Sequence, residues 1–275
     1  MTGAREKATT PEADERSLAP AVTRAVGILD LLATATEPLG VSAIGRALGL
    51  PKSSVANICA ALVDSRMLRA VAGGYVLGPH LAQLGSAYLA GVDAVELFHA
   101  ALRNEAAVAS ETAQLATLGE QLDVVYLARR DGSFPVRLAS APGVALPANC
   151  TATGKAMLAS LSPAQLDARL QGASPLTKLT SSSITSLRSL RSELDGVRRK
   201  GFATDLEEVM EGVVCIAVAV PRADPNDAPL AVSFTVLAPR ASEETCTRLR
   251  RVLTRVADAI GQGLGASGAD PAAPS

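Results

Sequence analysis

Apolar positions recur along this chain with two different periods, and the change of period outlines its architecture. Val22, Val26, Leu29 and Leu32 repeat at helical spacing, and Pro38 and Gly40 end that segment. Ser42 is expected to N-cap a short helix carrying Ile44, Ala47 and Leu48. Gly49 then supplies a turn. Pro51 is expected at the first position of the next helix, where its missing N–H costs nothing. That helix should bury Val55, Ile58 and Leu62 on one face. Two short β-capable runs, Met67 to Val71 and Tyr75 to Leu77, flank Gly73-Gly74 and read as a hairpin.

Two further helical patterns follow between 79 and 111, marked by Leu81, Leu84 and Tyr88 and then by Val95, Phe98 and Leu102. The first reads as a connecting helix. After 112 the period shortens. Leu115 to Leu118 and Val124 to Leu127 predict strands around Gly119-Glu120, and Val136 to Ala139 predicts another. Thr151 to Leu161 is expected to be helical, and Ser162-Pro163 opens a helix to about Leu170. Ser183 to Lys200 should form a helix whose basic end suits the helix dipole, with Gly201 as its C-cap. Val213 to Val220 and Leu230 to Leu237 read as partner strands. Ser242, Glu243 and Glu244 start a last helix with Leu249, Val252, Val256 and Ile260 on one face. Strands flanked by helices at both ends predict an α+β body.

Composition sharpens this outline. The 275 residues are 48% hydrophobic, enough for a sizeable core, which excludes a wholly disordered chain. Lys and Arg total 26 against 27 Asp and Glu, so no global positive field exists and nucleic-acid contact needs a local patch. Residues 20–80 carry five basic and three acidic residues, and the remainder from 81 carries 18 against 20. A slightly basic head on a slightly acidic body suggests two domains. Aromatics are 3% with no Trp, which argues against a base-stacking platform. Cys59, Cys150, Cys215 and Cys246 are too scattered, and His80 and His99 too few, to suggest zinc; no metal or cofactor is expected. Met1 to Pro20 is charged and lacks the apolar middle of a signal peptide. No long uncharged apolar run exists. The expectation is a cytoplasmic protein with reduced thiols and no membrane contact.

The stretch from Val41 to Ala60 has the physics of a helix-turn-helix. Two helices crossing closely need a small residue at the crossing, which Gly45 provides, and the tight turn needs a residue tolerant of positive φ, which Gly49 provides. Ile44, Leu48, Leu50, Val55 and Ile58 fall where the helices pack. Lys52, Ser53, Ser54 and Asn57 are left for a DNA major groove at the start of the second helix, and Ser42 and Pro51, at the starts of the two helices, are expected DNA contacts as well. The Gly73-Gly74 hairpin is the expected wing, with Arg69 along the backbone. An αα-hairpin in an ordinary helical domain is the competing reading.

With these residues in place, the chain resembles the IclR family of bacterial transcription regulators. The head match runs from Ala21 to Leu77, and two body stretches, PGVALPANCTATGKAMLASLS at 142–162 and RRKGFATDLEEVMEGVVCIAVAVP at 198–221, look like that family's effector-domain signatures. Low apolar content at 1–19, and small residues with Pro271 and Pro274 at 266–275, read as disordered tails; between them the resemblance implies a winged helix-turn-helix domain (20–79), a linker helix (80–93) and a GAF-like α/β effector-binding domain (94–265). It implies a homodimer or dimer of dimers that binds a double-stranded DNA operator and a small-molecule effector, carboxylate-bearing in many members. Carried over by motif, the effector pocket is lined by Gly143, Val144, Ala145, Asp205, Cys215, Ser233 and Thr235. The chain departs from the family pattern at Ala148-Asn149, where a His-containing stretch is more usual.

These residues suit a small anion. Backbone N–H groups around Gly143 are expected to take carboxylate oxygens. Ser233 and Thr235, two apart, share one face of a strand. A thiol redox sensor using Cys150 or Cys215 is the alternative trigger. An enzyme on the same body is disfavoured by the scarcity of His. Gly154-Lys155 lacks the other residues of a phosphate loop, and Glu207, Glu208 and Glu211 read as a solvated acidic face.

Overall fold

The computed structural model describes residues 18–103, 105, 108, 110–133 and 140–266. The expected strand at 136–139 and nearly all of both tails lie outside these residues. The chain divides into two compact units, with the boundary in the sequence between Tyr88 and Leu89.

In the head, α1 (Pro20–Thr34), α2 (Val41–Leu48) and α3 (Lys52–Asp64) precede a hairpin of β1 (Leu68–Val71) and β2 (Gly74–Leu77). Its core is Ile28, Leu32, Ile44, Val55, Cys59, Leu62 and Leu68. Each such side chain taken fully from water contributes about 1.5–3 kcal/mol. The face of α1 differs from expectation: Ile28 and Leu32 are buried, while Val22 and Val26 are exposed. On α3, Cys59 replaces Ile58 as the fully buried residue, and Ile58 is half-buried.

Two expected helix starts move, the first by two residues and the second by one. Gly40, not Ser42, is the N-cap of α2, so Ser42 lies inside the first turn and exposed. Leu39 explains the shift. Its N–H and carbonyl both bond Tyr75 of β2, which fixes the chain just ahead of the helix. Pro51 is the N-cap of α3 rather than its first helical residue, with ψ of 138°. The hairpin turn is Ala72-Gly73, because Gly74 already pairs with Val71. Gly74 must be a glycine there: a Cβ would lie 2.3 Å from the Leu39 backbone. Helix α4 (His80–Ala90) follows, over most of the expected linker, and the boundary between units falls within it.

The body consists of α5 (Asp93–Arg103), β3 (Thr112–Leu118), β4 (Asp123–Arg130), β5 (Ala145–Pro147), α6 (Ala152–Ala159), α7 (Pro163–Leu170), α8 (Leu187–Lys200), β6 (Ala203–Leu206), β7 (Val213–Ala219), β8 (Leu230–Leu237) and α9 (Glu243–Gly263). Among the described residues its strands form one antiparallel sheet in the order β5-β4-β3-β8-β7-β6. Strand alternation splits the sheet into two faces. Ile216, Val218, Val232, Phe234 and Val236 pack under α5 and α9. Ala116, Tyr126, Ala203, Ala217 and Ala231 pack under α6 and its neighbours. α8 starts at Leu187 with Ser186 as cap, four residues later than expected. The skipped residues are held elsewhere: the Ser183 hydroxyl donates to the Glu208 carbonyl at 2.8 Å. Gly201 closes the helix with φ of 76°, as its position after three basic residues predicts.

Candidate functional site

Two places bring chemistry-bearing residues together, one in each unit. In the head, Gly49 takes φ of 66° and ends α2, and the Leu50 N–H reaches back to the Gly45 carbonyl at 2.9 Å. A Cβ at Gly45 would sit 2.9 Å from the Leu50 carbonyl, so the crossing tolerates nothing larger. With Val55, Cys59 and Leu62 turned into the core, α3 presents Lys52, Ser53 and Asn57 to solvent, with Ser54 half-buried. Pro51, Ser42 and the wing residue Arg69 are exposed too. The first turn of a helix also offers backbone N–H groups without helical partners, which favour phosphate. A short, polar, outward helix start beside a two-stranded wing is the form of a groove reader.

In the body, the strand register assembles a polar row on the sheet face under α6. Asp205 pairs with Cys215, Cys215 with Thr235, and Thr235 with Thr112. One step along, Ser233 stands opposite Gln114. Four of the seven effector residues expected from sequence therefore meet. Ser233 and Thr235 are already engaged. The Ser233 hydroxyl donates to Gln114 Oε1 at 2.9 Å, and Gln114 Nε2 donates to Thr235 Oγ1 at 2.9 Å. Thr235 Oγ1 also lies 3.3 Å from Cys215 Sγ.

The expected use of N–H groups around Gly143 is corrected. The Gly143 N–H donates to the Tyr126 carbonyl at 2.8 Å, and that of Val144 to the Ala141 carbonyl at 3.0 Å. Neither is free for a carboxylate. Gly143 and Ala145 are exposed and Val144 half-buried. Tyr126 links the two groups: its backbone holds Gly143 and Val144, while its buried phenol faces Thr153, Cys215 and Asp205.

Sequence reasoning missed Gln114, Tyr126, Lys155 and Glu208. Lys155 is 1% exposed, and its Nζ contacts Glu208 Oε1 and lies 3.6 Å from Glu193 Oε1. Glu208 is therefore no part of a solvated acidic face; it is buried, while Glu207 and Glu211 remain nearer solvent. Gly154 has a packing role, since a Cβ there would lie 2.3 Å from the Ala148 carbonyl. Asp205 Oδ1 accepts the N–H of Glu208 at 2.7 Å and that of Val209 at 3.3 Å. Burial pushes the Asp205 carboxyl up to about 7, against the opposing pull of those N–H groups. Burial also raises the Glu208 carboxyl and the Cys150 and Cys215 thiols. No group of His, Cys, Asp and Glu able to hold a metal occurs among the described residues. A cleft of about 460 Å³ lies elsewhere, between Leu122 and Arg169, and is lined by none of the expected effector residues.

The head matches the IclR helix-turn-helix domain over residues 21–72, and the body matches the bacterial transcriptional regulator IclR C-terminal domain over residues 86–262. The chain belongs to the IclR family. Members are transcriptional regulators rather than enzymes, joining a DNA-binding head to a C-terminal effector domain. A probable transcriptional regulator, SauR of Cupriavidus necator, is 34% identical over 74% of this chain and 80% of its own length. The regulator XynR of Escherichia coli is 28% identical over 89% of this chain and 96% of its own. The crystal structure of an IclR regulator from Alicyclobacillus acidocaldarius superposes with a TM-score of 0.76 at 25% identity, covering 90% of this chain and 99% of that one. An IclR homolog from Microbacterium hydrocarbonoxydans, solved with 4-hydroxybenzoate, gives 0.69 at 25% identity over 90% and 100% of the two chains. No helix among the described residues is long and apolar enough to cross a membrane.

Proposed function

We propose that this IclR-family regulator reads an operator through α3 and its wing, and that a small carboxylate bound over the Asp205, Cys215, Ser233 and Thr235 row changes its DNA affinity. The observation that carries the DNA half is the outward set Lys52, Ser53 and Asn57 on a helix whose other face is fully packed. Lys52 and the helix start meet phosphate, Asn57 meets a base edge, and Arg69 follows the adjacent backbone. The likeness to a homolog that binds 4-hydroxybenzoate supports a carboxylate effector. The raised Cys150 and Cys215 thiols favour ligand over redox sensing, since the thiolate is the reactive form.

The regulator acts as a homodimer or a dimer of dimers. Helix α4 buries none of its 11 residues and exposes Leu84 and Tyr88. A helix of that length is marginal without packing, and a second copy supplies it. Two heads then read half-sites spaced by roughly 10 bp or a multiple. An effector shifts DNA affinity by its differential affinity for the two arrangements of the heads. Selection of bound duplexes from a random library tests this: an inverted repeat at that spacing is expected. Recovery of no preferred sequence would overturn it.

A further inference from the structure

Around Lys155, among the described residues, two buried carboxyls face one buried ammonium. Asp205 is 2% exposed and Glu208 6% exposed. Lys155 contacts Glu208 and stands near Glu193 of α8. Asp205 has no cation at contact distance among the described residues, and its Oδ1 is held by two backbone N–H groups. The groups facing it are Glu208 from the loop after β6, Lys155 from α6, Cys215 from β7, Tyr126 from β4 and Cys150 ahead of α6. With both carboxyls ionised, Asp205, Glu208 and Lys155 sum to one negative charge before any ligand arrives.

A carboxylate placed beside this set adds a second negative charge where water screens little. Glu208 is already met by Lys155, so relief comes at Asp205. Resting on the reading of this pocket as a carboxylate site, we propose that it admits a small monocarboxylate only together with one proton, which Asp205 takes from solvent, and that it rejects dicarboxylates. The protonated carboxyl keeps an acceptor oxygen for the Glu208 and Val209 N–H groups. Its new O–H donates to the ligand carboxylate. Thr112 Oγ1, buried and without a partner among the described residues, lies beside Thr235 in the same row and supplies a second donor. The Asp205 carboxyl, already lifted to about 7 by burial, is poised to take the proton near neutral pH.

Titration calorimetry of the full chain tests this, with 4-hydroxybenzoate, benzoate and propionate as probes, at pH 6 and pH 8, in two buffers of different ionisation enthalpy. The ligand carboxylates stay ionised at both pH values. Affinity should be about tenfold weaker at pH 8 than at pH 6, with uptake of nearly one proton at pH 8 and almost none at pH 6. Benzene-1,4-dicarboxylate should bind at least roughly tenfold more weakly than 4-hydroxybenzoate at both. Asp205→Asn, which keeps a carbonyl for the two N–H groups, should hold the pH 6 affinity at pH 8. Binding with a flat pH profile and no proton uptake, read on the unaltered protein, overturns the linkage and leaves the carboxylate pocket standing. Equal binding of the dicarboxylate overturns the selectivity. No binding of any monocarboxylate at either pH overturns the carboxylate pocket and this proposal with it.

Discussion

The head and the body solve opposite problems with polar residues. In the head the core is wholly apolar, and the residues assigned to DNA lie outside it on α2, α3 and β1. In the body the candidate site is sunk into the fold: Gln114, Asp205, Ser233, Thr235, Lys155 and Glu208 are all buried. A surface reader needs rigid apolar backing and free polar groups, because its partner is large and arrives from outside. A small-molecule sensor needs polar groups taken out of water, where each hydrogen bond discriminates more strongly. The consequence is a different fragility. Altering a head contact changes binding and leaves the fold intact, whereas altering a body contact strikes at stability as well.

The sharpest break of this comparison is Lys155→Ala. It leaves the buried Glu208 carboxylate without its cation and should destabilise the body by about 3–5 kcal/mol. Thermal unfolding checks it, and an unchanged body transition would remove the contrast. Next in size is Asn57→Ala on the head. It should relax sequence preference by about 1–3 kcal/mol between the preferred operator and single-base variants, with the melting profile unaltered. Competition binding reads this directly, and unchanged selectivity would place Asn57 off the bases. The smallest effect is that of Lys52→Ala, which should weaken binding to all duplexes alike and lower the slope of affinity against salt by about one unit. An unaltered slope would remove Lys52 from the phosphate contacts.

The two regions also differ in how plainly they could be read from residues. Gly45, Gly49 and the alternation of apolar and polar positions on α3 are local signals, set by backbone conformation and spacing within some twenty residues. They fixed the helix-turn-helix, and its exposed residues are those the pattern left over. Errors there came from longer reach. Ser42 is not a cap because Leu39 is held by Tyr75, and Val22 and Val26 are exposed because the packing of α1 follows Ile28 and Leu32. In the body, Asp205, Cys215, Ser233 and Thr235 were marked by resemblance to the family. Gln114, the hydrogen-bond partner of Ser233 and Thr235, carried no signal, since one glutamine in a strand looks like any solvated position. Lys155 and Glu208 were read as a failed phosphate loop and an acidic surface. Their pairing across 53 positions has no trace in either local pattern.

The order of elements, the glycine-dependent turns and the apolar faces that drive collapse were thus dictated by the chain itself, because they rest on backbone sterics and on periodicity between near neighbours. Which hydroxyls are already spent, which carboxyl goes without a cation and which lysine is sealed from water were decided by the fold. Those properties depend on strand register and desolvation, and both come into being when distant segments meet.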